Sequence, residues 1–274
     1  MPSVDGSSVG GSSVDGSSVD GARWVCRVAS TIRRDATSAT KYAVREHEVW
    51  TRPPMDARGL PVLLVGGLAG SGAQLQVLSD WLVRLNCRPV IAPTRSGVDC
   101  GERTTGWVTE ALEKLNETSG RRSVMIAHSR GGQFARAVAV RHPELLHGVV
   151  TLGSPVTRHL GIHPRLKAEL VALGVAGSLG VPGIFRPSCV WGSCCRRLRS
   201  DLLTPFPADV SWLSVYSRLD RVVDWRTCLD PAARHREVAT SHGGLLFAPA
   251  VFEALAQELR TLLDPSWDPV AVAC

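Results

Sequence analysis

Hydrophobic and polar positions follow two different periods from residue 60 onward. Apolar runs of the kind found in strands covered on both faces alternate with segments whose apolar residues recur at helical spacing. Because strands separated by helices form βαβ units, this pattern predicts an α/β fold with a mostly parallel sheet of about six strands flanked by helices. The predicted strands are 61–65 (PVLLV), 88–92 (RPVIA), 122–127 (RSVMIA), 147–153 (HGVVTLG), 210–217 (VSWLSVYS) and 236–240 (REVAT).

The helical segments fill the intervals between these strands. In the first of them, Leu75, Leu78 and Leu82 fall on one face. A stretch from 156 to 208 then interrupts the rhythm with a helical pattern, a Gly/Pro-rich bend and a second amphipathic piece. Long insertions in compact domains are often lids, so we expect a helical cap here. The main helices are predicted over 73–85, 102–116, 129–142 and 249–263.

The chain divides by pattern into four regions. Near the N-terminus a five-residue Ser/Gly/Val/Asp repeat lacks the apolar area that would offset chain ordering, so we expect it to be disordered. The regions are the repeat tail (1–21), an N-terminal helical extension (22–59), the α/β core (60–155 and 209–266) and the cap or lid insertion (156–208).

Composition narrows the class of protein. Of 274 residues, 44% are hydrophobic and 20% are charged, which is typical of a globular protein with a sizeable core. The net charge of +6 comes from scattered arginines rather than a basic stripe interleaved with aromatics, which disfavours nucleic-acid binding. No apolar run approaches the roughly 20 residues that span a bilayer. We see no secretory signal pattern, so we expect a cytoplasmic protein with reduced thiols.

Ser129 is the candidate nucleophile. It follows a predicted strand and opens a helix, and the stretch Ala127-His128-Ser129-Arg130-Gly131 fits the nucleophile elbow G-x-S-x-G with alanine in the first position. The elbow is a strained turn that needs small neighbours, and alanine is the smallest substitute for glycine. The alternative is that Ser129 only caps the helix.

A nucleophilic serine needs a base, and the base needs an orienting carboxylate. Asp220 follows the predicted fifth strand and His242 follows the sixth, so both late loops offer a suitable residue in the order Ser, Asp, His. Asp224 is the reserve acid. His235 comes too early, and His128 is better suited to supporting the elbow than to acting as the base.

Backbone donors must also face the developing oxyanion. We expect the N–H of Arg130 to be one of them, because it follows the nucleophile. The second is assigned to Leu68, in a loop where Gly66 and Gly67 allow close approach to substrate. A nucleotide site in this loop is disfavoured, since neither G-x-G-x-x-G nor a G-K-[ST] ending is present.

Three cysteines cluster in the insertion, at Cys189, Cys194 and Cys195. No second Cys/His pair at zinc spacing accompanies them, so we expect a local disulfide or buried packing and no metal site.

These motifs resemble the α/β-hydrolase superfamily, and specifically bacterial esterase/lipase-like hydrolases. The resemblance runs from about residue 60 to 264, with the insertion as its least transferable part. It implies a minimal α/β-hydrolase fold and a Ser-His-Asp triad. The sequence departs from the family at the oxyanion loop, where Gly66-Gly67 replaces the usual His-Gly. The segments on which the resemblance rests are VLLVGGLAGS, DCGERTTGWVTEALEKL, IAHSRGGQFARAVAVRHPELLHGVVTLGSP, VYSRLDRVVDW and SHGGLLFAPAVFEAL.

The residues and the resemblance together predict a carboxylic ester hydrolase that forms an acyl-enzyme on Ser129 without a cofactor or metal. Leu166 and Leu170 of the insertion are expected either to line an apolar acyl site or to pack on the sheet. The expected partner is therefore a small apolar ester or acyl substrate. A thioesterase or acyltransferase with the same triad stays open. So does a non-catalytic binding protein of the same fold, although all three triad positions hold competent residues.

Overall fold

A computed structural model describes residues 43–68, 72–158, 161–164, 167, 171, 174–175, 177–179, 184–264 and 266. The repeat tail at 1–21, most of the N-terminal extension, and both Leu166 and Leu170 lie outside the described residues.

A six-stranded sheet forms the centre of the molecule, in the order β2-β1-β3-β4-β5-β6 with every neighbouring pair parallel. The four inner strands are almost fully buried, as their apolar composition predicts, while the two edge strands are largely half-buried or exposed. The predicted fold class is thereby confirmed. The strands are β1 (Pro61–Val65), β2 (Arg88–Ile91), β3 (Ser123–His128), β4 (Leu146–Leu152), β5 (Ser211–Tyr216) and β6 (Arg234–Glu237).

The last strand begins earlier than predicted. Its first residues, Arg234 and His235, pair with Leu213 and Ser214 of β5. Because β6 is an edge strand, these polar side chains stay accessible and leave no apolar signal. The predicted span of 236–240 was therefore displaced toward the apolar Val238.

Helices cover both faces of the sheet and bury two separate apolar clusters. On one face Trp81 of α2 meets Phe252 of α7 edge-on, with ring centroids 5.0 Å apart. α3 ends at Gly120, whose φ of +66° and N–H bond to the Asn116 carbonyl form a glycine C-cap. The helices are α1 (Glu48–Thr51), α2 (Gly72–Arg84), α3 (Gly101–Ser119), α4 (Gly131–Arg141), α5 (Pro187–Val190), α6 (Arg196–Asp201) and α7 (Pro249–Leu263).

The C-terminal part of the insertion, residues 184–208, is fastened to α3 and α4 by charged groups. Arg141 lies 2.6 Å from Asp201 and 2.7 Å from Glu102, while Arg136 lies 3.2 Å from Asp230 and donates 2.9 Å to the Thr204 carbonyl. We call the residues of this arrangement the ion-pair cluster: Glu102, Arg136, Arg141, Asp201 and Asp230. Since both arginines are more than nine-tenths buried, these contacts are shielded from water.

Within the described residues, no helix combines the length and the apolar character that a bilayer crossing requires.

Candidate active site

Ser129 sits on a sharp turn between β3 and α4. Its φ of +56° is in the left-handed region, which a non-glycine residue adopts only when its surroundings enforce it. The Ser129 N–H donates to the Leu152 carbonyl at 2.9 Å, which ties the turn to the neighbouring strand. This is the backbone geometry of a nucleophile elbow, and the side chain is 8% exposed.

Small residues make room for this turn. A Cβ on Gly67 would lie 2.7 Å from the Ser129 Cβ and 2.8 Å from the His128 carbonyl oxygen. A Cβ on Gly131 would collide with the Val65 carbonyl oxygen, and one on Gly132 with the Ser154 side chain. The glycines on both sides of the serine are therefore required by close packing of the turn against β1 and the residues after β4.

Asp220 and His242 form a fully buried pair at the carboxyl ends of β5 and β6. The His242 Nδ1 lies 2.6 Å from the Asp220 Oδ2, and each side chain is 1% exposed. The other carboxylate oxygen, Oδ1, accepts the N–H groups of Val222 and Val223 at 2.8 Å each. Because these two bonds fix the carboxylate, the orientation of the imidazole is fixed as well.

The remaining ring nitrogen of His242, Nε2, is buried and has no hydrogen-bond partner among the described residues. With Nδ1–H donating to the carboxylate, Nε2 carries the lone pair and can accept a proton. Leaving a buried polar atom unpaired costs about 1–3 kcal/mol, so such an atom calls for an explanation.

Gly153 connects this pair to the serine. It has φ +54°, and a Cβ on it would lie 3.1 Å from the Asp220 Oδ2 and 3.4 Å from the His242 Nδ1. The preceding residue, Leu152, is the one whose carbonyl accepts the Ser129 N–H. The elbow and the Asp–His pair thus lie on two sides of the same short stretch of backbone.

His128 supports the loop that carries His242. The two rings lie 4.7 Å apart between centroids, and the His128 Nε2 is 3.1 Å from the His242 carbonyl oxygen. Since a carbonyl only accepts, this nitrogen must carry the proton. Burial, reinforced by the nearby His242, lowers the pKa of His128 to about 3. A neutral ring that holds its neighbour's backbone is a positioning group rather than a base.

The two predicted oxyanion donors belong to segments that pack against each other. A Cβ on Gly67 would lie 2.9 Å from the Arg130 nitrogen, and one on Gly97, which has φ +64°, would lie 2.9 Å from the Leu68 nitrogen. Gly66 faces Leu75 and Thr94, away from the serine. Glycines on both loops therefore allow the backbone of Leu68 to approach the elbow.

The Arg130 side chain adds a feature that sequence reasoning missed. Its guanidinium lies 5.2 Å from the centre of the Phe134 ring and 5.5 Å from that of Phe185, and it donates to the Gly97 carbonyl. Burial lowers its pKa. Because Phe185 lies in the insertion, Arg130 connects the elbow with that segment, a contact that no local motif in the sequence signals.

The other candidates lie elsewhere. Asp224, the reserve acid, is 44% exposed at its side chain and accepts the Arg226 N–H at 3.2 Å, capping a short 3₁₀ helix. His235 lies on the edge strand β6. Of the acids in this loop it is thus Asp220 that contacts His242.

A family model described as the alpha/beta hydrolase fold matches residues 61–179. The chain has the α/β-hydrolase fold. Among solved structures, the mature form of a Bacillus licheniformis lipase superposes with a TM-score of 0.55 at 15% identity, over 75% of this chain and 94% of that one. At such identity the likeness of this α/β-hydrolase-fold chain to that lipase concerns architecture.

Two curated relatives resemble part of this α/β-hydrolase-fold chain in sequence. A 2-hydroxymuconate semialdehyde hydrolase of Pseudomonas sp. (strain CF600) is 29% identical over 118 residues, covering 37% of this chain and 41% of that protein. The sn-1-specific diacylglycerol lipase ABHD11 of Xenopus tropicalis is 28% identical over 135 residues, covering 46% of this chain and 40% of that protein. The match thus spans about two fifths of either relative.

Proposed function

We propose that the protein is a serine hydrolase that cleaves carboxylic esters through an acyl-enzyme on Ser129. The observation that carries the proposal is the buried, unpartnered His242 Nε2. Asp220 holds the His242 ring 4.7 Å from that of His128, the residue directly before Ser129 on its strained elbow. Nucleophile, base and orienting acid are the three groups that acyl transfer by a serine needs.

In the first half of the reaction, His242 Nε2 takes the hydroxyl proton as the Ser129 Oγ attacks the ester carbonyl. Asp220 stabilises the imidazolium that forms. The tetrahedral intermediate collapses when the alcohol leaves with the proton from His242. In the second half, water attacks the acyl-enzyme, His242 takes its proton, and the acid departs as Ser129 regains its hydrogen.

The negative charge on the tetrahedral oxygen requires donors that are already in place. The backbone N–H groups of Leu68 and Arg130 are the proposed pair, supported by the close packing of Gly67 on the elbow and of Gly97 on Leu68. Removal of one such donor costs roughly 10²–10³-fold in kcat. The tight glycines around the loop therefore matter for rate as well as for packing.

The names of the relatives favour hydrolysis of an apolar ester. Two of the three similar proteins reported above are lipases and the third is a hydrolase. We propose a small apolar ester as substrate, entering between the elbow and the insertion, where Phe185 already contacts Arg130. Leu166 and Leu170 lie outside the described residues, so their place in the acyl site remains a proposal from sequence.

The test is hydrolysis of p-nitrophenyl esters from acetate to long acyl chains. We expect the wild type to turn over at least one ester, and Ser129→Ala to lower kcat by roughly 10⁶-fold. Ser119→Ala, which removes a hydroxyl bonded only to backbone carbonyls at the end of α3, serves as the matched control and should stay active.

A fluorophosphonate probe provides a second readout that does not depend on the choice of ester. We expect it to label the wild type on Ser129 and to leave Ser129→Ala unlabelled, as read by peptide mass spectrometry. Folded wild-type protein that neither hydrolyses an ester nor accepts the probe would overturn the proposal and favour a non-catalytic role. Labelling without ester turnover would instead direct the search to thioesters and acyl transfer.

A further inference from the structure

Four cysteines from two separate parts of the chain meet beside the elbow. Cys100 precedes α3, Cys189 lies in α5, and Cys194 and Cys195 precede α6. Their four sulfur atoms all lie within 4.8 Å of one another, and we call them the four-cysteine cluster. The other described cysteines, Cys87 and Cys228, are buried elsewhere.

The spacing of these sulfurs is that of a tetrahedral metal site. Zinc–sulfur bonds of about 2.3 Å place the four sulfurs of a tetrahedron about 3.8 Å apart. Cys100 lies 3.3 Å from Cys194 and 3.5 Å from Cys195, and Cys189 lies 3.7 Å from Cys194, all measured between sulfur atoms. Changes of up to about 1 Å in the separations, from the 4.8 Å that bounds the widest pair to about 3.8 Å, would complete the coordination shell.

The sulfur contacts are not confined to two exclusive pairs, because the shortest of them, between Cys100 and Cys194, links the pair Cys100–Cys195 to the pair Cys189–Cys194. Cys100 is nearly as close to Cys195 as to Cys194, and Cys194 in turn approaches Cys189. A disulfide joins exclusive pairs at about 2.0 Å and leaves its partners unavailable to other sulfurs. Four sulfurs linked in this way, all within 4.8 Å of one another, have the arrangement of ligands around one shared centre.

Backbone donors face one sulfur of the cluster. The backbone N–H groups of Glu102 and Arg103, in the first turn of the 19-residue helix α3, donate to the Cys100 sulfur. Such N–H donors stabilise a sulfur that carries negative charge, the form in which cysteine binds a metal.

The guanidinium of Arg130 supplies a positive charge next to the sulfurs of the four-cysteine cluster. Its buried guanidinium interacts electrostatically with the sulfurs of Cys195, Cys189 and Cys100. A Cβ on Gly101 would lie 3.5 Å from the Arg130 Nη2 and 3.7 Å from the Cys195 sulfur, so guanidinium and cluster are close neighbours. Zinc bound by four thiolates keeps an excess negative charge, which a fixed cation on one side offsets.

We propose that Cys100, Cys189, Cys194 and Cys195 bind one structural zinc ion that fastens the insertion to α3 beside Arg130. A site with four protein ligands is closed to substrate, so its role is to stabilise the fold rather than to catalyse. This corrects the expectation of no metal site, since no second Cys/His pair at zinc spacing marks the site in the sequence. The fourth ligand is the single Cys100, which only the fold brings to the other three.

The position of the site gives it a consequence for the elbow. The side chain of Arg130 lies between the cluster and the Phe134 and Phe185 rings, and its backbone follows Ser129 directly. Release of the metal would therefore loosen both residues 184–208 and the arginine next to the serine. The proposal does not rest on ester hydrolysis, because a structural ion would be required whatever the fold does.

The test measures metal in the full chain, purified under reducing conditions after growth with added zinc. We expect about one zinc per chain by elemental analysis, and X-ray absorption of the wild type to show four sulfur ligands at about 2.3 Å. Cobalt exchanged into the site should give the absorption bands of a tetrahedral tetrathiolate. Chelation should lower the wild-type melting temperature.

Variants then assign the ligands. Cys194→Ser, at the exposed member of the cluster, and Cys100→Ser should lose the zinc, whereas Cys87→Ala, a buried cysteine outside the cluster, should keep it. If the serine variants fail to fold, the wild-type absorption spectrum still decides. Iron in place of zinc, disulfides among these cysteines in native peptide maps, or no stoichiometric zinc after reconstitution of the reduced chain would each overturn the proposal.

Discussion

Two of the buried groups of polar side chains in the described part of the molecule are built in opposite ways. In the ion-pair cluster, carboxylates and guanidiniums face each other directly, as Arg141 does with both Glu102 and Asp201. In the group around His242, a carboxylate meets an imidazole that keeps one nitrogen, Nε2, without a hydrogen-bond partner among the described residues.

The two arrangements have different consequences, one for the stability of the fold and the other for reactivity. Opposite charges placed together hold the insertion on α3 and α4, and removal of one partner exposes the buried charge of the other. An unpaired basic nitrogen lowers stability instead, and it is retained where a proton must be accepted. The first group should therefore respond to mutation in the free energy of unfolding, and the second in rate.

Of the changes that compare these two groups, the largest expected effect is on the rate, in Asp220→Asn. The amide oxygen still accepts the N–H groups of Val222 and Val223, but the amide nitrogen faces His242 Nδ1 and favours the tautomer with a proton on Nε2. We expect kcat on the best p-nitrophenyl ester to fall by roughly 10⁴-fold. The melting temperature should change little.

Asp224→Asn is the matched control, because Asp224 caps a 3₁₀ helix in the same loop without touching His242. Equal losses of kcat in the two variants would contradict the assignment of Asp220 as the orienting acid.

The next effect is on stability, in Arg136→Met. Methionine keeps much of the apolar volume but leaves Asp230 and the Thr204 carbonyl without their donor. We expect the free energy of unfolding, measured by urea titration, to fall by about 3–5 kcal/mol. Arg218→Met removes a pair with Glu237 whose arginine is 60% exposed, and should cost about 0–1 kcal/mol. Similar costs for both would break the distinction between buried and exposed pairs.

The smallest effect is on the pH dependence of stability, through His128. Its pKa of about 3 in the folded protein lies below the ordinary 6.5, so only the unfolded chain gains a proton as the pH falls below 6.5. The stabilisation is complete above pH 6.5 and is lost toward pH 3, by up to about 1.4 kcal/mol per pH unit.

In His128→Gln the side-chain amide can still donate to the His242 carbonyl, yet it does not titrate. We expect urea titrations between about pH 6.5 and 5 to give a shallower loss of unfolding free energy than in the wild type. Identical slopes would show that His128 does not stay neutral in the fold.

The interior of the fold could be predicted closely from sequence. The apolar run at 61–65 is strand β1, and the helix predicted over 249–263 begins at Pro249, as observed. Both follow from local rules, since a doubly covered strand needs an unbroken apolar run and proline is preorganised for a first helical turn. The predicted positions of Ser129 after the third strand, and of Asp220 and His242 after the fifth and sixth, followed from the same alternation.

What could not be predicted depends on residues far apart in the chain. Nothing around Cys100 indicates that it lies beside Cys194. Arg136 likewise lies on a largely apolar helix, whose sequence does not indicate the carboxylate that it meets. Such pairs form only once β3, β4 and the insertion are in place. The strained φ of Ser129 also depends on residues far apart in the chain, because Gly67 packs closely against the turn.

The two outer strands also determine how the molecule meets its neighbours. β2 and β6 have four residues each, and they carry Pro89 on one side and Arg234, Arg236 and Glu237 on the other. Short, charged or proline-bearing edges are poor templates for another strand. The parallel sheet is therefore protected from edge-to-edge aggregation by the same polar residues that obscured the start of β6.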